Sequence, residues 1–118
     1  MAAPNIASLT TIRGKTAVQA VAASATAIVT NSAASGKVLK VNALYVSNIT
    51  TATKWVSVDV YRSSVAYRLC KEVAVPLGAT LVVIEKDSPI YLEEEDSLRV
   101  TGEAASVLEA VASYEDLS

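Results

Sequence analysis

Histidine and phenylalanine are absent from this 118-residue chain, and cysteine, methionine and tryptophan occur once each. Without His the sequence lacks the commonest general base and the commonest metal ligand, so His-dependent nucleophile triads, His-built metal centres and His-ligated haem are excluded within it. Cys70 stands alone, which rules out an intramolecular disulfide and fits a reducing compartment. With Gly at 4 and Pro at 3, collagen-like repeats and Pro/Gly-rich disorder are excluded as well. Long hydrophobic runs are missing too. The stretch from Ala17 to Val29 is interrupted by Gln19, Ser24 and Thr26 and falls short of the ~20 apolar residues of a membrane span. Arg13 and Lys15 ahead of it imitate a signal peptide only faintly, so a soluble, unprocessed chain is expected.

What is present is a globular composition, 52% hydrophobic and 19% charged, with the apolar share carried by Ala, Val, Leu and Ile. The length suits one domain. The net charge of −2 offers no field for nucleic acid or an anionic lipid surface, and neither is expected as a partner. Charge is nonetheless uneven along the chain. Before Asp59 there are only bases, Arg13, Lys15, Lys37, Lys40 and Lys54; from Asp59 onward five bases face twelve acids. Either the two halves interleave in one domain and their charges mix, or basic and acidic surfaces of neighbouring copies meet.

The dominant periodicity is two. Val56, Val58 and Val60 alternate with Trp55, Ser57, Asp59 and Tyr61, and Val65–Val73 alternates likewise except for a break at Lys71. Ser63-Ser64 between these runs predicts an antiparallel hairpin, although Ser does not favour the positive φ of the preferred tight turns. Further runs lie at 16–21, 27–31, 37–49, 79–85, 88–92, 97–101 and 106–114, separated by turn-forming segments. In the Ala-rich segment 17–27 a helix competes, but β-branched residues and missing caps favour strand. Eight or nine short strands with no convincing helix predict an all-β, antiparallel, jelly-roll-like β-sandwich over residues 9–118, preceded by an extended arm at residues 1–8. A core of small aliphatic side chains in a domain this size is expected to be modestly stable and to gain from association.

No catalytic constellation is found, and no catalytic, metal or cofactor-binding residue is assigned. Gly14-Lys15-Thr16 copies only the tail of a phosphate-binding loop. Glu93–Asp96 is dense in acid, but contiguous carboxylates on a tight turn diverge, and a solvated hairpin tip is expected there in place of a Ca²⁺ loop. Trp55 and Tyr61 fall on the face opposite the three valines, where they would meet a partner; Arg62 and Arg68 near the turn would suit acids on an adjacent copy. In the arm, Pro4, Asn5 and Ile6 form a small uncharged stretch suited to docking in a neighbour's groove.

The segments GKVLKVNALYVSN, VSVDVYRSSVAYRL and VPLGATLVVIEKDSPIYLEEEDSLRVTGEAASVLEAVASYEDL, in this order, resemble β-sandwich accessory virion proteins of tailed bacteriophages. The most recognisable piece is PIYLEEEDSLRV followed by LEAVASYE, where the family pattern carries Gly at the position of Glu95. The resemblance implies a non-enzymatic head-decoration (cement), neck or tail protein, made in the bacterial host cytoplasm and located in the virion. Its partners would be copies of itself and a major capsid or neck/tail protein. A ligand-binding or carbohydrate-binding sandwich with Trp55 as stacking platform is the alternative.

Overall fold

The computed structural model describes residues 4–118, and the residues Met1, Ala2 and Ala3 of the expected arm lie outside the described residues. A 3₁₀ turn at Ile6–Ser8 precedes nine strands: β1 (Ile12–Ala20), β2 (Thr26–Thr30), β3 (Val38–Asn48), β4 (Lys54–Arg62), β5 (Val65–Val75), β6 (Thr80–Ile84), β7 (Ile90–Leu92), β8 (Ser97–Gly102) and β9 (Leu108–Leu117). Each alternating run of the sequence contains a strand, and the Ala-rich segment 17–27 is strand at both ends, with residues 21–25 connecting β1 to β2.

The pairing is nested. β1 joins β9, β2 joins β8, β3 joins β6 and β7, and β4 joins β5, all antiparallel. Because β6 and β7 occupy successive stretches of the same flank of β3, they act as one interrupted strand. The sheets β1-β9-β3-β6 and β2-β8-β4-β5 then have the strand order of a jelly roll, the all-β solution in which a long folded hairpin wraps into two packed sheets.

The core between the sheets is aliphatic throughout, built from Val21, Val29, Leu39, Val41, Leu44, Val46, Val56, Val58, Val75, Ile84, Leu92, Leu98, Val100 and Leu108, with Ala110 and Ala112 from β9. At the end of β8, Gly102 sits where a side chain would be tight, since a Cβ there would lie 3.1 Å from Val21 Cγ1 and 3.2 Å from the Ala104 carbonyl oxygen.

Two buried asparagines tie loops to this frame. Asn31 Nδ2 donates to the Lys37 and Leu92 carbonyls, each at 3.0 Å, and Asn48 Nδ2 donates to Ala52 O at 2.8 Å and Val75 O at 2.9 Å. The β4–β5 connection is the two-residue hairpin, with Ser63 at φ 52° and Ser64 at φ 62°, so both central residues take the left-handed conformation of a type I′ turn despite being serines. At the break read at Lys71, Ser57 of β4 faces the extra residue of a bulge; Glu72 has φ 50° and its N–H donates to Ser57 Oγ at 2.8 Å.

Candidate interaction surfaces

Sheet β2-β8-β4-β5 turns Trp55, Ser57, Asp59 and Tyr61 away from the core, as the alternation requires, yet this side of β4 is not freely exposed. Ser57 is 5% and Asp59 2% exposed, and Trp55 and Tyr61 are half-buried. At Asp59 and Tyr61 the cause is Arg99 on the neighbouring β8, paired in register with Asp59. Its Nε donates to Asp59 Oδ1 at 2.8 Å while its guanidinium carbon lies 3.9 Å from the Tyr61 ring centroid. Charge pairing and cation–π stacking thus cover the strand from within the chain. Trp55 lines a shallow polar depression with Ser57, Arg68, Lys71, Glu72 and Thr101, in which Arg68 and Lys71 are exposed.

Arg62 has its acids in its own chain. Its Nε donates to Asp96 Oδ1 at 2.8 Å, its Nη2 donates to Asp96 Oδ2, and Nη2 also reaches Glu93 Oε2 at 2.8 Å. The fork-on-carboxylate geometry raises the Arg62 pKa further above its ordinary value, chiefly through the Asp96 hydrogen bond. Burial pushes the Asp96 carboxyl up, but the Arg62 guanidinium and the Glu93 N–H outweigh it and hold the group below the usual range.

The solvated tip expected at Glu93–Asp96 holds for the exposed Glu93 and Glu95 and is corrected for Glu94 and Asp96. Asp96 is 2% exposed, Glu94 Oε2 accepts the Gly36 N–H at 3.1 Å, and Glu95 takes φ 73° without a glycine. Glu93, Glu94 and Asp96 serve as turn ligands for the backbone or for Arg62, because the β7–β8 turn, the β4–β5 turn and the 31–36 loop converge at one end of the sandwich. Among the described residues no group of three His, Cys, Asp or Glu side chains is placed to hold a metal ion.

At β1 and β9 a third buried carboxylate, Asp116, takes Lys37 Nζ at 3.0 Å and Lys15 Nζ at 3.3 Å on Oδ2. Burial raises its pKa, and the two ammonium groups more than offset this, so the carboxyl sits below its ordinary range. Lys54 reaches Glu103 at 3.8 Å. Bases of the first half are thereby paired with acids of the second inside one domain, which is the mixing alternative of the charge argument.

In the arm, Pro4 is half-buried, Asn5 Oδ1 accepts the Ala7 N–H at 3.0 Å, and Ile6 is exposed at 54%. The turn at 6–8 contains no buried residue. Sequence reasoning missed Arg99 and Asp116, whose partners are remote in the chain. It also missed an apolar row on the outside of the other sheet, where Val18 of β1, Val111 of β9, Tyr45 of β3 and Val82 of β6 follow one another in register. Val18 is 75% exposed, and Tyr45 and Val82 are also exposed. The alternation within each run marked these residues as outward, but only the register lines them up.

No protein-family model matches the sequence, and no curated protein matches it. Among solved structures the chain is similar to one from Bacillus endospore appendages, described as a novel family of disulfide-linked pili. The two share 15% identity over 92% of this chain and 87% of that one, with a TM-score of 0.55. At that identity the likeness is one of fold.

Proposed function

We propose that the chain is a non-enzymatic structural subunit that self-associates, in a tailed-bacteriophage virion, as a capsid decoration (cement) protein or a neck or tail accessory protein. The observation that carries this reading is the division of labour on the surface. Buried carboxylates are held in internal ion pairs at Asp59, Asp96 and Asp116, while many large apolar side chains stay exposed, and three of them, Val18, Tyr45 and Val82, stand in a row across the outer face of one sheet. Such a face suits protein contact better than turnover of a small substrate. The segment resemblance from Lys37 to Tyr114 supports the virion setting. The structural neighbour, a protein named for pilus formation, supports assembly as a use of this fold. Disulfide linkage does not transfer readily, because one cysteine per chain joins two copies at most, and burial pushes the Cys70 thiol pKa up, away from the reactive thiolate.

The test is sedimentation of the purified protein over a concentration series together with immunodetection on purified particles. Self-association and particle-bound protein are expected. A monomer at every concentration that is absent from particles overturns the reading.

The depression beside Trp55, with its adjacent polar side chains, supports carbohydrate binding as the second reading. Quenching of the single tryptophan by a glycan, abolished in Trp55→Ala, would favour it over assembly.

A further inference from the structure

The sandwich has four strand edges, and irregularity closes three of them to a further strand. β2 is short and slips register between Ala27 and Val29. β5 slips register twice along β4 and carries Glu72 at φ 50°. The flank of β3 is divided between β6 and β7, with Pro89 between them. Breaks of this kind keep sheet edges from pairing with other chains. β1 has none, since its register with β9 runs unbroken from Ile12↔Leu117 to Ala20↔Glu109 and it contains no proline.

The direction of its hydrogen bonds is fixed at both ends. Thr11 exchanges both backbone bonds with Ser118, at 2.8 and 2.9 Å, and Val21 N donates to Leu108 O at 2.9 Å. Antiparallel ladders alternate, so the odd-numbered residues between them face β9, and Ile12, Gly14, Thr16, Val18 and Ala20 direct N–H and C=O outward. All five of these residues are exposed.

We propose that this edge pairs with β1 of a second copy, antiparallel, about a two-fold axis at Thr16, joining two sandwiches through one continuous sheet. The proposal rests on the self-association reading and names its contact. In this register every outward backbone group of the strand is paired. Ile12 stands beside Ala20 of the second copy, Gly14 beside its Val18, and Thr16 beside its Thr16. Large side chains thus meet small ones. Val18, 75% exposed, would cover Gly14, where an added Cβ finds no atom within 4 Å, and Ile12, 62% exposed, would cover Ala20.

On the opposite side of the strand Arg13 faces Gln19 and Lys15 faces Ala17, so no like charges stand opposite each other. Moving the axis one residue toward the N-terminus sets Lys15 against Lys15, and moving it one residue further sets Arg13 against Lys15. Slipping it the other way leaves Ile12 beyond the end of the partner strand. The sequence of β1 therefore selects the Thr16 register.

The experiment compares the wild-type chain, Thr16→Pro, and a Cys70→Ser/Thr16→Cys double variant by sedimentation and non-reducing gels. Proline at Thr16 removes an outward N–H at the centre of the edge and leaves the ladder to β9 in place. The oligomer is expected to fall to the 12.3 kDa chain with its far-UV circular dichroism retained. In the double variant the two Cα atoms at Thr16 would lie about 5.5 Å apart, within disulfide range, and a covalent dimer should form on mild oxidation. Val18→Cys in the same Cys70→Ser background should not cross-link, its two copies being about 13 Å apart along the strands.

A wild-type monomer at all concentrations overturns self-association altogether. An oligomer that survives in folded Thr16→Pro, with no cross-link at Thr16→Cys, overturns the edge pairing alone. Dissociation by Thr16→Pro without the cross-link also overturns it, and would assign the edge to another strand, such as the arm of a neighbour. If Thr16→Pro does not fold, the two cysteine variants decide.

Discussion

Asp96 is almost fully buried, yet its carboxylate stays ionised because Arg62 forks onto both its oxygens and the Glu93 N–H donates to it at 2.8 Å. Asp116 is in the same position with Lys37 and Lys15. Both pKa values are lowered in the folded chain. A lowered carboxylate pKa contributes stability that is present above the unfolded value of about 3.9 and is lost as pH falls through the folded value. With no His to titrate and the Cys70 thiol pushed up, thermal midpoints should be level from about pH 5 to 8 and should drop below about pH 4. Arg62→Ala should lower the midpoint at pH 7 and flatten the acid limb, and an acid limb unchanged in that variant would remove Asp96 from the account.

Glu95 offers a second residue-scale test. Its φ of 73° costs an L-residue roughly 1 kcal/mol relative to glycine. Glu95→Gly is expected to raise the unfolding free energy, read from denaturant titration, by up to that amount, whereas Glu94→Gly should lower it by releasing the Gly36 N–H. Destabilisation by Glu95→Gly would mean that its side chain contributes more than the strain it imposes.

Strands were the legible part of this chain, and the reason is visible in β4 and β5. A strand covered on one face writes its burial into every second residue, and even the break at Lys71 corresponds to a real bulge opposite Ser57. The turn between them was legible as a connection and not as a geometry, because the strands on either side force Ser63 and Ser64 into a conformation serine does not choose. The environment of the candidate residues was hidden for a different reason. Asp59 is covered by Arg99, and Arg62 is neutralised by Asp96, and no local pattern announces a partner some thirty to forty residues away. Tyr61 and Arg62, read as outward groups awaiting another molecule, are therefore engaged at home, while Trp55 and Arg68 still border an open depression. The arm is separable at this scale. Its turn at Ile6–Ser8 buries nothing, and the end of the sandwich is held by Thr10 and Thr11 on Ser118. Deleting residues 2–8 should leave the unfolding free energy within about 0.5 kcal/mol and reduce particle incorporation. Loss of folding, or incorporation equal to the full chain, would remove the arm's docking role.

Across the whole molecule the uneven charge of the chain is partly evened out, because the fold sets Lys15, Lys37 and Lys54 of the basic half on Asp116 and Glu103 of the acidic half. These pairs, and Arg99 on Asp59 within the acidic half itself, are contacts inside one domain. Association driven by opposite surfaces of neighbouring copies would therefore compete with pairs already made, whereas the apolar row on Val18, Tyr45 and Val82 and the unpaired backbone of β1 have no such competitor. The two routes differ in their response to salt. Exposed charges are screened over about 10 Å at 0.1 M and about 3 Å at 1 M ionic strength, so charge-steered assembly weakens steeply across that range, while backbone pairing with apolar cover does not. Sedimentation at 0.05, 0.1 and 1 M NaCl (about 14, 10 and 3 Å of screening) is expected to give the same association constant within a few-fold. A loss of assembly at the highest salt would return the meeting of basic and acidic surfaces to first place.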